Sequence, residues 1–407
     1  MRADLSSRAP GPFTRTNPAK VRTTCSYHTS YHPVAPRISL LEAPLARIIL
    51  PSSNKLPLAI RMDIAALKTQ IQQHMSDGLV TIVGSGLSCA EGLPSMGALA
   101  THLSLALGTL PSGKLRDEWA KIAPSLTVVG LEQALLDTPP SAELEDLIRR
   151  EVAAFVSSSE NDLISEVFEK GRVLRFTRLL KYLLCPPNGI QVVTTNYDRL
   201  LEVAAEEAGI GVDTMFVGTF AGRLDEREAR LSFCRDVTLH KNKPRFFFAN
   251  RMVLSKLHGS LDWYERNGSP VRHCGELAGA GRLIIPPGQN KYRNGYDSPF
   301  DVHRERANHA IDRASCFLII GYGFNDGHLE THLKERMKSG VSTLVLTHSL
   351  STNAKSALSA APHFLALEAA DIKGVLSTRV FSPGAIDVFS GVSLWDVGNL
   401  VKEVFEP

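Results

Sequence analysis

"LVTIVGSGLSCAEGLP", residues 79–94, passes from an apolar, β-branched run straight into Gly84-Ser85-Gly86 and closes on Gly92-Leu93-Pro94. The run reads as a buried strand. Bare backbone directly after it reads either as a ligand loop or as a tight strand-to-helix turn. The spacing differs from G-x-G-x-x-G, and it lacks the Gly-Lys-Ser/Thr that a Walker loop requires. Cys89, inside the stretch, is a candidate reactive thiol or a small packing residue beside the turn.

Working outward, "MDIAALKTQIQQHM" from Met62 sets Ile64, Leu67, Lys68, Ile71 and Met75 at helical spacing, and Asp77-Gly78 ends it. Further strands are predicted at 190–195 ("IQVVTT"), 253–259 ("VLSKLHG"), 282–286 ("RLIIP"), 316–320 ("CFLII") and 342–347 ("STLVLT"), with helical stretches at 198–208, 301–314 and 327–338. Short apolar strands alternating with helices predict an α/β fold, a doubly wound, mostly parallel sheet covered on both faces. Residues 98–185 are nearly all helical in pattern, without a convincing strand, and predict a helical insertion between the first strand and the next. In 209–252, "RFFF" predicts an edge strand. Beyond 350, "FLALEAADIKGVL" and "VSLWDVGNLVKEVF" predict a final strand and an amphipathic helix, which would cover the sheet or form an interface.

Composition narrows the class. Of 45 Lys/Arg and 42 Asp/Glu, nine and two fall in residues 1–61, so 36 basic and 40 acidic residues remain in a mildly acidic body. That balance gives no general footprint for nucleic-acid phosphates, and no direct nucleic-acid binding is expected. No stretch approaches the roughly 20 uninterrupted apolar residues that a membrane helix needs. The six cysteines stand singly, which predicts free thiols, a reducing, cytoplasmic setting and no zinc module. Residues 1–61, rich in Pro, Ser, Thr and Arg, are expected to be a disordered leader. They read either as a transit peptide or as an upstream extension before a start at Met62, the early Asp4 and the prolines favouring the second.

Ligands of parallel α/β sheets bind beyond the carboxyl ends of the strands, so the other strand ends matter. One finishes at Thr194-Thr195-Asn196 and enters a helix near Asp198, where Asn196 or Asp198 would equally serve as an N-cap. Another finishes at His258-Gly259, the glycine leaving the surroundings of the imidazole uncluttered. A third runs into "GYGFND", a second glycine turn suited to the far half of a dinucleotide, or simply Asn325-Asp326-Gly327 capping a helix.

In this order, Gly84-Ser85-Gly86-Leu87-Ser88 with Gly92-Leu93-Pro94, Thr194-Thr195-Asn196-Tyr197-Asp198, His258-Gly259 and the turn at 321–326 resemble the sirtuin fold. They resemble its bacterial sirtuin-like branch of NAD-hydrolysing antiphage defence proteins more closely. The likeness spans residues 62–350, leaving 351–407 as a C-terminal extension. The resemblance implies a Rossmann-like sirtuin fold with NAD as substrate. Asn196 would bond the nicotinamide ribose and help place a water, with His258 as base or ribose-orienting group opposite it. Asp198 would line the nicotinamide pocket or hold its loop, and Thr195 beside it would also contact the cofactor. Ser85, Gly86 and Ser88 would meet the phosphates at the turn that Gly84 opens, and Gly321 to Phe324, with Gly321, Gly323 and Phe324 as the binding candidates, would lie on the adenosine side.

A deacylase of the family would carry Phe-Arg after the Gly-Ile-Pro and a four-cysteine zinc module. Here stand Ser95-Met96-Gly97 and no paired cysteines, which argues against acyl-lysine chemistry. The expected activity is hydrolysis of NAD to nicotinamide and ADP-ribose. The alternatives are a deacylase or ADP-ribosyltransferase, and a non-catalytic subunit sensing NAD or ADP-ribose. As partners the resemblance implies a homo-oligomer and a companion protein such as a HerA-like ATPase or a short Argonaute.

Overall fold

The strand Leu79–Val83 lies inside a nine-stranded sheet, and the chain crosses over at it. In the computed structural model, which describes residues 62–288 and 297–406, the chain leaves this strand for Ile190–Thr194 on one side. It continues outward there to Arg251–Lys256 and Gly211–Asp213. It then returns to Cys316–Ile320 on the other side, followed by Ser342–Thr347 and Phe364–Ile372. All of these pairings are parallel, and Val83 stands level with both Thr194 and Ile320. Three carboxyl ends therefore open on one edge, at the point where strand order reverses. The leader and Cys25 lie outside the described residues.

Both faces of the sheet are covered, which is why its strands read as unbroken apolar runs. On one face Val83, Val192, Leu254 and Leu318 pack with Leu67 and Ile71 of helix Ile64–His74 and with Leu400 and Val401 of helix Val397–Val404. On the other, Ile82, Val193, Phe317 and Ile319 meet helices Phe300–Arg313 and Gly327–Lys338. Each fully buried Leu or Ile contributes roughly 1.5–3 kcal/mol.

Three expectations change here. Residues 282–286 do not join the parallel sheet; Arg282–Ile284 pairs antiparallel with Gly259–Arg266 in a separate five-stranded sheet. "RFFF" lies in Lys243–Phe248, which among the described residues pairs only with Cys234–His240, in a two-stranded hairpin whose residues are largely exposed. "FLALEAADIKGVL" is a hairpin rather than one strand. Lys373 and Gly374, at φ +54° and +81°, turn Phe364–Ile372 back into Val375–Ser382, and Ala385–Ser390 completes the sheet. The terminal helix packs its apolar face into the core.

The stretch expected to be a helical insertion carries helices from Met96–Gly108 to Arg175–Leu180 and has its own core. Leu103, Trp119, Ile122, Leu135, Ile148 and Val152 pack together and close against Leu261 and Ile284 of the second sheet. Its long helix, Ala142–Lys170, also reaches the sheet edge through Glu160, which is fully buried. Oε1 accepts from the Arg199 backbone N–H, and Oε2 accepts from Arg199 Nε at 2.9 Å and Nη2 at 2.6 Å. Burial pushes the Glu160 carboxyl above its usual range, with Arg199 pulling against it.

Removing one partner of a buried pair strands the other charge and costs about 3–5 kcal/mol. Glu160→Ala is therefore expected to lower unfolding free energy by that order in a urea titration. A loss under about 1 kcal/mol would show that the pair does not lock the insertion to the sheet.

Candidate functional site

The first glycine turn is built by backbone packed on backbone. Gly84 N–H donates to Ile320 O at 2.9 Å and Gly86 N–H to Gly321 O at 3.0 Å. A Cβ on Gly84 would stand 2.5 Å from Gly321 O, and one on Gly86 would stand 2.7 Å from Gly321 Cα. Gly321 has φ +56°, and its own Cβ would meet Gly86 Cα at 2.6 Å. No side chain fits at these three positions. Gly86, expected to meet phosphate through its backbone, already spends its N–H on Gly321.

The second strand end is set by a chain of buried donors. Thr194 Oγ1 donates to Val83 O at 2.9 Å and accepts from Asn196 N–H at 3.0 Å. Asn196 Nδ2 donates to Gly84 O at 3.1 Å and to Ser88 Oγ at 2.9 Å, while Ser88 Oγ donates to Asp198 Oδ2 at 2.8 Å. This directionality fixes the amide, leaving Asn196 Oδ1 for the cleft. Ser88, expected at the phosphates, is instead buried between Asn196 and Asp198. Asp198 Oδ1 accepts from Leu200 N at 3.2 Å, so Asp198 also fixes the start of helix Leu200–Glu207. Burial holds its carboxyl above the usual range; Lys256 and the Ser88 hydroxyl oppose this.

Lys256, absent from the expected set, is fully buried beneath this loop. Its Nζ donates to Asp198 O at 2.6 Å, Tyr197 O at 3.4 Å and Glu202 Oε1 at 3.0 Å. It holds the loop's carbonyls from below. A lysine in the apolar "MVLSKLHG" run was the sequence signal for it.

The third strand end carries His258, whose Nε2 pairs with Asp326 Oδ2. Gly259 has φ +81°, and a Cβ there would lie 2.0 Å from Leu283 O. Its role is to turn the chain from the parallel sheet into the antiparallel one, rather than to leave the imidazole uncluttered. Ile285 N–H donates to His258 O at 3.0 Å and Tyr197 Oη to Ile285 O at 2.6 Å, tying the loop to its neighbours.

Asn196, His258, Thr195 and Asp198 line one cleft together with Gly84, Ser85, Ser88 and Gly323. A second cavity adjoins it, lined by Gly86, Gly321, Thr347–Ser349 and Trp395–Val397. Ser85, Tyr322 and Gly323 border both. Phe324 borders neither: its ring is fully buried in the core 5.2 Å from that of Tyr322, which corrects its expected contact with the adenosine side. Glu132 from the insertion and Asp326 line the first cleft and had no part in the expected site; Tyr322, expected on the adenosine side within 321–324, lines this cleft as well as the second cavity. Among the described residues no group of three His, Cys, Asp or Glu side chains converges as a metal site, and no helix is long and apolar enough to cross a membrane.

Residues 191–363 match the SIR2-like domain family. That span holds Asn196, Asp198, His258 and the turn at Gly321. No curated protein matches the chain. Among solved structures, a Sir2 homologue–NAD complex is 15% identical, covering 70% of this chain and 84% of its own, with a TM-score of 0.34. A Sir2 homologue mutant complexed with 2′-O-acetyl ADP ribose is 17% identical over 74% of this chain and 90% of its own, at 0.35. Sir2 bound to acetylated peptide is 12% identical over 82% and 97%, at 0.33.

Because Gly321 combines a left-handed φ with backbone contact on Gly86, Gly321→Ala is expected to cost about 1–3 kcal/mol or more. The measurement is thermal unfolding beside Gly323→Ala, whose φ is not left-handed and whose Cβ would meet only the Asn325 side chain, at 3.3 Å. Equal losses at both sites would refute the interlock.

Proposed function

We propose that the chain hydrolyses NAD to nicotinamide and ADP-ribose. The observation that carries this reading is the convergence of Asn196 and His258, from different parallel strands, on one cleft at the reversal of strand order. The adjoining cavity and the glycine turns between the two supply room for a dinucleotide with its pyrophosphate near Ser85 and Gly323. The SIR2-like match over 191–363 supports an NAD-using chemistry.

In this reading the C1′–N bond breaks and its electron pair leaves with the nicotinamide nitrogen, which becomes neutral. No strong acid is needed, since the leaving group starts as a cation. Asn196 Oδ1 orients the ribose or the incoming water. The water oxygen bonds to C1′, and its proton passes to His258 as base. A preorganised polar pocket lowers the cost of the oxocarbenium-like state, where ordinary glycosidases use two carboxylates. The motif likeness to defence proteins extends the proposal to NAD depletion during phage infection, within a homo-oligomer or with a companion protein.

The test is nicotinamide release by the purified full chain given NAD with and without acetylated peptide. Expected is peptide-independent release that falls about 10²–10⁴-fold in Asn196→Ala and in His258→Ala. Release only in proportion to peptide, or binding without turnover, would replace hydrolysis with deacylation or sensing.

A further inference from the structure

We infer that Asp326 is the positioning residue of His258, fixing its proton on Nε2 and leaving Nδ1 as the nitrogen that serves the cleft. This rests on the hydrolase reading for its catalytic consequence, though not for its geometry.

Asp326 is held through its backbone as well as its carboxylate. Oδ1 accepts from Leu329 N–H at 3.2 Å, capping helix Gly327–Lys338, and the Asp326 N–H donates to Glu330 Oε1 at 2.7 Å. The second oxygen, Oδ2, meets His258 Nε2. Both residues are buried, Asp326 at 4% and His258 at 8% exposure. Asp326 also comes from the far side of the strand-order reversal, following Cys316–Ile320, whereas His258 follows Arg251–Lys256. Their bond therefore spans the two halves of the sheet.

An ionised carboxylate only accepts, so the imidazole must carry its proton on Nε2. A neutral ring then has its lone pair on Nδ1, and His258 is among the residues lining the cleft. Capping alone does not account for the residue, since the Leu329 N–H is taken by Oδ1 while Oδ2 meets His258.

These two jobs can be separated. Asparagine caps a helix as well as aspartate. With its Oδ1 on Leu329 N–H, its Nδ2 would face His258 and donate to Nε2, driving the ring proton to Nδ1 and removing the base. An Asp-to-Asn exchange beside a catalytic histidine acts in this way in serine proteases, at a cost of about 10⁴ in turnover.

The experiment uses the full chain with ¹⁵N-labelled histidine. In the wild type, NMR is expected to show His258 as the Nε2–H tautomer; a neutral ring protonated on Nδ1 overturns the inference, whatever the activity. In Asp326→Asn the proton is expected on Nδ1, with kcat for NAD reduced about 10³-fold or more, KM changed less than about threefold and melting temperature preserved. Unchanged kcat in a folded Asp326→Asn overturns it too. Should that variant fail to fold, the wild-type tautomer decides. Wild-type protein that releases no nicotinamide would sink the hydrolase reading, and the tautomer would still decide whether Asp326 sets the ring.

Discussion

The contact between the backbones of Gly84–Gly86 and Gly321–Tyr322 constrains everything at the carboxyl edge. A Cβ on Gly84 would be 2.6 Å from Tyr322 Cα, and Gly86 and Gly321 exclude each other's side chains. The two loops follow strands on either side of the reversal, so they can meet only if both begin level with each other. The register of Val83 with Ile320 provides that. A single extra residue in either loop would part them, and Ser85 and Gly323 would no longer border both cavities.

That contact fixes where Gly84 O points, and from there the polar chain follows. Asn196 donates to Gly84 O and to Ser88, and Ser88 donates to Asp198. A buried polar group without a partner costs about 1–3 kcal/mol, so each member holds the next in one orientation. Lys256 extends the network downward, neutralising Glu202 and holding the carbonyls of Tyr197 and Asp198. The cost of burying these groups makes rigidity the natural reading of the network, since any rotation would break two bonds at once.

The parallel sheet was legible because strands buried on both faces leave unbroken apolar runs, and "LVTIV", "CFLII" and "STLVLT" are such runs. The antiparallel sheet was not. Phe216–Val217, Gly222–Leu224 and Ser269–Arg272 are too short and too mixed to carry a period. The C-terminal hairpin stayed hidden because Lys373-Gly374 interrupts an otherwise continuous pattern with only one glycine. At the site, motif residues announced a need for bare backbone and polar strand ends, but not what lay opposite. Glycine 86 looks the same in sequence whether it faces a phosphate or another glycine. Asp326 had every sign of a helix cap, and its second oxygen finds a partner 68 residues away, a separation for which no local pattern exists.

The insertion joins this edge at two points with different consequences. Glu160 takes the backbone N–H of Arg199, the residue directly after Asp198, so the long helix holds the same loop that carries Asn196. Glu132, in the first turn of a shorter helix, brings a carboxylate to the cleft itself. Both helices share the core around Leu131, Leu135 and Leu144, which closes on Leu261 and Ile284. Movement of that core relative to the antiparallel sheet would thus act on Asn196 through Arg199 and on the cleft wall through Glu132 together. An insertion anchored this way is a structural part of the pocket, because the sheet supplies the strand-end side chains while Leu99, Glu132 and Val156 of the insertion complete the lining.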